Sequence, residues 1–185
     1  MVRRSASGVR FIPAPFRTRE ARGAISEAES SLFPLLADVD HTIALLDVGR
    51  IDVLRLPVAI RHADLVVILH RQDASSAAAA TVRLEQLAET VEADRETGAT
   101  VGLALVGADP FSLGEIADFA APNGPAFQLA QDPLSAAVLA GRTGVSTRRL
   151  SRLPLMRSAA RVASELDHFV DAHHDADALT NEGAG

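Results

Sequence analysis

Asp64-Leu65-Val66-Val67-Ile68-Leu69-His70 is almost wholly apolar, and Thr100-Val101-Gly102-Leu103-Ala104-Leu105-Val106 has the same character further along the chain. A run without polar alternation suits a strand covered on both faces, the usual state in a parallel sheet. Between the two, Ala74 to Ala93 is rich in alanine and leucine and predicts a long helix. Strand, helix and strand in this order make a crossover unit. Downstream, Asp109-Pro110 opens a loop to a helix near Leu113–Phe119, Ala126-Phe127-Gln128-Leu129 reads as a short strand, and Pro133 to Ala140 and Leu153 to Val170 read as helices. Upstream, Gly8 to Ile12 predicts a short strand ended by Pro13-Ala14-Pro15. Thr18 to Ala37 carries helical spacing through Ala21, Ala24, Ile25, Ala28, Leu32 and Leu35, with Pro34 kinking or ending it. His41-Thr42-Ile43-Ala44-Leu45-Leu46-Asp47 predicts a buried strand running into a turn at Gly49. The fold class that follows is α/β, a mostly parallel sheet with helices on both faces. Residues 1–172 are expected to form one domain, and 173–185 an acidic, disordered tail without apolar anchors.

At 185 residues the chain is long enough to bury roughly 70% of its unfolded surface. Cysteine is absent, which excludes disulfides, thiolate metal sites and cysteine nucleophiles. All 18 basic residues are arginine, so Schiff-base chemistry and a phosphate-gripping lysine are excluded as well. Neither an export signal nor a membrane-spanning run is read, and a cytoplasmic setting is expected. Net charge is −6 but unevenly spread. Pro133 to Ser164 holds six arginines and no acid, whereas Glu165 to Gly185 holds six acids and no arginine.

The local pattern nearest to chemistry is the apolar run ending in Asp47-Val48-Gly49-Arg50. An aspartate at the carboxyl end of a buried strand can hold Mg²⁺ through water, and a following glycine lets backbone approach a terminal phosphate. An aspartate that only closes a turn accounts for the same spacing. Taken in order with Ala63 to Leu69, the strand ending Leu105-Val106-Gly107, Gln131-Asp132-Pro133 with Ala136-Ala137, and Arg149-Leu150 through Leu153-Pro154-Leu155, this pattern resembles the C-terminal two-thirds of a MinD/ParA-type ATPase domain, particularly actinobacterial MinD-like proteins. The resemblance spans roughly Gly8 to Phe169 by segment order. It implies a P-loop NTPase-like fold of the deviant Walker type, with ATP driving dimerisation and partner binding. By that likeness Asp47 takes the Walker B position and Gly49 the second switch.

The departures from that family bear directly on function. Nothing fits G-x-x-x-x-G-K-[ST], the P-loop strand is missing, and no lysine exists to complete the loop. Gly141-Arg142-Thr143-Gly144 follows a helix instead of a strand and reads as an ordinary loop. Where the family often reads adenine with an asparagine after a late strand, Val106 is followed by Gly107. The expectation is a degenerate, non-catalytic domain with a binding or regulatory role in partitioning or positioning processes. Its partner would be another protein or a second copy, and no cofactor is expected. The alternative is a fragment of a split or truncated ATPase, holding Mg-ATP only when another chain supplies the P-loop. A third, weaker reading is a DNA-associating accessory protein using Arg142, Arg148, Arg149, Arg152, Arg157 and Arg161, although a solvated surface partly neutralised by the acidic tail is the favoured account of these residues. The acidic, apolar-poor tail argues against an amphipathic membrane anchor. His168, His173 and His174 among acids form no regular metal spacing, and His41, His62 and His70 stand apart, so no metal site is expected. No G-x-S-x-G or G-x-G-x-x-G follows a strand, and no catalytic residue is assigned.

Overall fold

The computed structural model describes residues 2–4, 10–13, 15, 17–29, 32, 43–49, 60, 63–71, 74–93, 99–107, 112–120 and 124–182. The chain divides into two compact units, Met1–Ala63 and Asp64–Gly185.

In the first unit, β1 (Arg3–Arg4) pairs antiparallel with β2 (Arg10–Phe11), and α1 spans Thr18–Glu29. The short strand expected over Gly8 to Ile12 is thus present at its centre. Beyond α1, the expected helical span to Ala37 lies, Leu32 apart, outside the described residues. The strand expected over His41 to Asp47 does not form. His41 and Thr42 lie outside the described residues, and Ile43 to Gly49 is neither helix nor strand, with Leu45 85% exposed. The cause is that apolar content alone cannot make a strand. A ladder partner is needed, and none of the described residues pairs with this segment.

The second unit follows the expected order closely. β3 (Leu65–Arg71), α2 (Ala74–Ala93), β4 (Thr100–Val106), α3 (Leu113–Ala120) and β5 (Ala126–Leu129) form a parallel sheet in the order β3-β4-β5. Val66 pairs with Val101 and Ile68 with Leu103, so these side chains share a face with Leu105. Onto that face pack Leu84 of α2 and Ile116 of α3, making a core with Leu103 and Leu105. Both crossover helices lie on this side, as two same-handed crossovers advancing in one direction require. Leu84, Leu87 and Val91 are buried at helical spacing along α2, which is why its remaining surface tolerates glutamate and glutamine.

β4 is buried on both faces, since Gly102 and Ala104 are covered as well as Leu103 and Leu105. β3 departs from the expectation of burial on both sides. It is an outer strand, and burial alternates along it: Val66 is buried, whereas Val67 and Leu69 on the opposite face are exposed, Leu69 by 64%. Among the described residues it pairs on one side only, which leaves that face without the cover β4 receives.

Three further helices complete the unit: α4 (Pro133–Leu139), α5 (Thr147–Leu150) and α6 (Pro154–Glu182). α6 packs on β5 and α4. Its 29 residues span about 43 Å at helical rise. The helix continues past Val170 through residues 173–182, where a disordered tail is expected from composition. Between Pro154 and Gly183 there is no proline or glycine to stop it. Among the described residues no helix is long and apolar enough to cross a membrane.

The approach of β4 to the start of β5 sets a steric limit. The Leu103 N–H donates to the Pro125 carbonyl at 2.9 Å, and a Cβ built on Gly124 would meet the Val101 carbonyl oxygen at 1.8 Å. Gly124→Ala therefore forces the two strands apart and is expected to cost about 1–3 kcal/mol in urea unfolding. Gly114→Ala, where a Cβ meets nothing within 4 Å, is expected to leave stability unchanged or raise it by up to about 1 kcal/mol.

Candidate functional site

In an open parallel sheet the ligand-binding side is the carboxyl edge, where loops diverge and helices present their first N–H groups. Here that edge is formed by the ends of β3 at Arg71, β4 at Val106 and β5 at Leu129. Gly107 leaves β4 with φ 116 and donates its N–H to the Leu129 carbonyl at 2.9 Å. The Gln128 side-chain amide donates to the Gly107 carbonyl at 2.5 Å, fixing the two strand ends together.

Among the described residues, two helix starts near this edge, those of α3 and α4, are occupied by the chain's own carboxylates. Ser112 and Glu115 form a capping box at α3. The Glu115 carboxylate accepts from the Ser112 N–H at 2.8 Å and its hydroxyl at 2.7 Å, and the Ser112 oxygen accepts the Glu115 N–H at 3.2 Å. At α4 the cap is Asp132, followed by Pro133 in the first turn, where a missing N–H costs nothing. Asp132 accepts the N–H groups of Leu134 at 3.1 Å and Ser135 at 3.3 Å, and the hydroxyl of the fully buried Ser135 at 2.5 Å. The same carboxylate is also stabilised by the Leu155 N–H in the first turn of α6. Asp132 therefore caps α4, and the start of α6 lies where it also favours the carboxylate's charge. Ser158 of α6 adds a further tie, accepting the Ala130 N–H at 2.9 Å while donating to the Leu155 carbonyl.

These hydrogen bonds hold both acids below their ordinary range. For Asp132 the largest cause is the Ser135 hydroxyl, and for Glu115 the Ser112 N–H. Donors aimed at a carboxylate favour its charged form.

Asp47 and Gly49 lie in the first unit, exposed, and their chemistry is local. The Gly49 N–H donates to the Asp47 carboxylate at 2.9 Å, and Gly49 sits at φ 67. This is an aspartate-closed turn that uses glycine's freedom at positive φ. The stretch Gly141-Arg142-Thr143-Gly144 is a helix C-cap. Gly141, at φ 69, donates to the Val138 carbonyl and Arg142 to the Ala137 carbonyl, the paired bonds of a Schellman motif. Those N–H groups are therefore committed to the helix.

The six arginines singled out from the sequence follow one another through this part of the second unit. Arg142 ends the cap, Arg148 and Arg149 occupy the last turn of α5, Arg152 precedes α6, and Arg157 and Arg161 lie on it. All six are exposed. Arg161 donates to the Gln128 carbonyl at 3.3 Å and pairs with Glu165 at 3.5 Å. Among the described residues no ion pair engages the other five, and no three histidine or acidic residues gather as a metal-binding group. The carboxylates at the helix starts were missed as a set from sequence, although Ser112-x-x-Glu115 and Asp132-Pro133 are each readable as caps.

A carboxylate with a lowered folded-state pKa contributes stability that is present above the unfolded value, near 4, and lost as pH falls through the folded one. The melting temperature is accordingly expected to drop as pH is lowered from 5 towards 2, as followed by circular dichroism. Asp132→Asn, which keeps the shape but weakens acceptance, should lower the melting temperature at neutral pH and flatten this acid dependence. An unchanged pH profile would remove Asp132 from its linking role. In comparison with known proteins, no family model, no curated protein and no solved structure matches this chain.

Proposed function

We propose that this chain is a non-catalytic binding protein, a degenerate relative of MinD/ParA-type domains that acts by engaging a partner instead of turning over nucleotide. The observation that carries this reading is the occupation of potential phosphate donors by the chain's own carboxylates. Anions bind at helix starts because N–H groups there are unsatisfied and the helix dipole is positive. Ser112 to Glu115 and Asp132 to Ser135 already supply that negative charge internally. A phosphate at either place would have to displace a bonded carboxylate and then meet its repulsion. At Asp47, the backbone N–H that a switch glycine would offer to phosphate is likewise turned back on the aspartate.

Titration calorimetry with Mg·ATP and Mg·ADP, carried into the millimolar range, tests the proposal. No saturable heat is expected from the wild-type chain or from Asp47→Ala. Saturable binding abolished by Asp47→Ala would overturn it and favour a nucleotide site completed by other groups, as the split-ATPase reading requires.

The exposed guanidinium groups of Arg142, Arg148, Arg149, Arg152 and Arg157 favour one more specific version, in which the partner is polyanionic. Arginine's planar fork suits phosphate and carboxylate alike. If duplex DNA engaged these five and Arg161 as well, the slope of log affinity against log salt would approach about −5. Salt-independent binding, or none, would leave an uncharged partner surface as the remaining form of the proposal.

A further inference from the structure

Among the described residues β3 is an outer strand of the parallel sheet, and the chemistry of its lateral edge follows from one hydrogen bond. The Thr100 N–H donates to the Asp64 carbonyl at 3.0 Å, so Asp64 turns its peptide groups towards β4. Residues alternate along a strand, and in the observed register Val66, Ile68 and His70 turn the same way. The N–H and C=O groups of Leu65, Val67 and Leu69 point to the opposite side, where no described strand pairs with them. These three side chains also share the sheet face away from α2 and α3, on which Val67 is 37% and Leu69 64% exposed. An outer strand with outward backbone groups and apolar side chains on one stretch is a template for another strand. The usual guards are few: β3 contains no proline, and its arginine stands at its last position.

We infer that this edge pairs with the same edge of a second copy, antiparallel, about a two-fold axis at Val67. Directly opposed residues in such a ladder share a face and interact as pairs. On the exposed face this register sets Val67 against the partner's Val67, and Leu65 against the partner's Leu69. On the other face it sets Val66 against the partner's Ile68, and Asp64 against the partner's His70. An axis at Ile68 would place Leu65 against arginine at position 71, and an axis at Leu69 would place Val67 there. Of the three registers, only that at Val67 matches apolar with apolar throughout and an acid with an imidazole. The outward backbone groups of Val67 then form a hydrogen-bonded pair with their counterparts, and those of Leu65 and Leu69 extend the ladder on either side. A second copy is the fitting occupant because a two-fold contact must be self-complementary, and Asp64 to His70 complements itself when reversed. The inference goes beyond the proposed binding role: it uses neither the carboxyl edge nor the second-unit arginines, and it needs no nucleotide.

The absence of cysteine makes the register directly testable in the full chain. Val67→Cys, oxidised with copper phenanthroline without nucleotide, is expected to give a disulfide-linked dimer on non-reducing gels. Directly opposed Cα atoms about 5.5 Å apart lie within disulfide range. Leu69→Cys is more exposed, but in this register it stands about 13 Å from its counterpart and is expected not to cross-link. Leu65→Cys alone behaves likewise, whereas a mixture of the two variants is expected to give linked dimers. By light scattering the wild-type chain is expected at twice 19.5 kDa, with or without Mg·ATP. Leu69→Lys, which sets a charge on the paired face, is expected to raise the dimer dissociation constant at least about ten-fold. A wild-type monomer throughout the micromolar range would overturn the inference and leave the non-catalytic reading standing. Cross-linking of Leu69→Cys as fast as Val67→Cys, the mark of chance collision, would overturn it, as would a dimer that Leu69→Lys does not weaken. Dimerisation that requires Mg·ATP would overturn both this inference and the non-catalytic reading.

Discussion

Asp132 is the most heavily hydrogen-bonded carboxylate at the end of the sheet where α4 and α6 begin. Its carboxylate takes two N–H groups at the start of α4 and the hydroxyl of Ser135, and the Leu155 N–H at the start of α6 favours its charge. Ser135 is fully buried, so its hydroxyl must have a partner or impose the cost of an unmet polar group. The position of α6 on β5 then follows, reinforced where Ser158 and Arg161 reach the backbone of Ala130 and Gln128. A core substitution would loosen one contact among many in this region. Loss of the carboxylate would free several donors at once, which is why hydrogen bonding is the constraint that sets the geometry of this end of the sheet.

The same arrangement determines what the carboxyl edge can bind. Parallel sheets concentrate helix starts at that edge, and a fold that uses them for phosphate leaves their N–H groups open. In this chain the carboxylates of Glu115 and Asp132 neutralise the ends of α3 and α4, and the Gly141 and Arg142 amides close the far end of α4. Positive charge is carried instead by arginine side chains in the connecting segments and on α6. Under the proposed binding role, such groups would meet a partner's surface.

What could be read from the sequence divides along physical lines. The spans of α2, β4 and β5 are legible to the residue because apolar runs and breaker residues are local signals. The helix expected to end near Val170 runs on to Glu182, because a lack of apolar anchors does not itself stop a helix that meets no proline or glycine. The segment from Ile43 to Asp47 differs for another reason: its composition suits a strand, but a ladder partner is a tertiary matter, and none of the described residues supplies one. Exposure of Val67 and Leu69 has the same origin, since the apolar run of β3 does not say how many neighbours the strand has. At the candidate site each cap could be read alone. The joining of Asp132 to Leu155 could not, because it depends on where α6 packs.

Charge distribution gives the final constraint. Residues 1–22 and 133–164 together hold twelve of the eighteen arginines and one of the twenty-four acids, so the remainder of the chain is strongly negative. With a screening length of about 8 Å at physiological salt, the net charge of −6 does little to a partner already in contact with one of these segments. It does oppose the approach of a polyanion from further away at low salt. Contact-range attraction combined with weak long-range repulsion favours binding that depends on fit at the arginine segments over indiscriminate adhesion. A chain with the same arginines and a positive total would bind any polyanion at a distance. If the partner is polyanionic, as proposed, segregation of charge inside an acidic protein would make its binding depend on fit at the arginine segments.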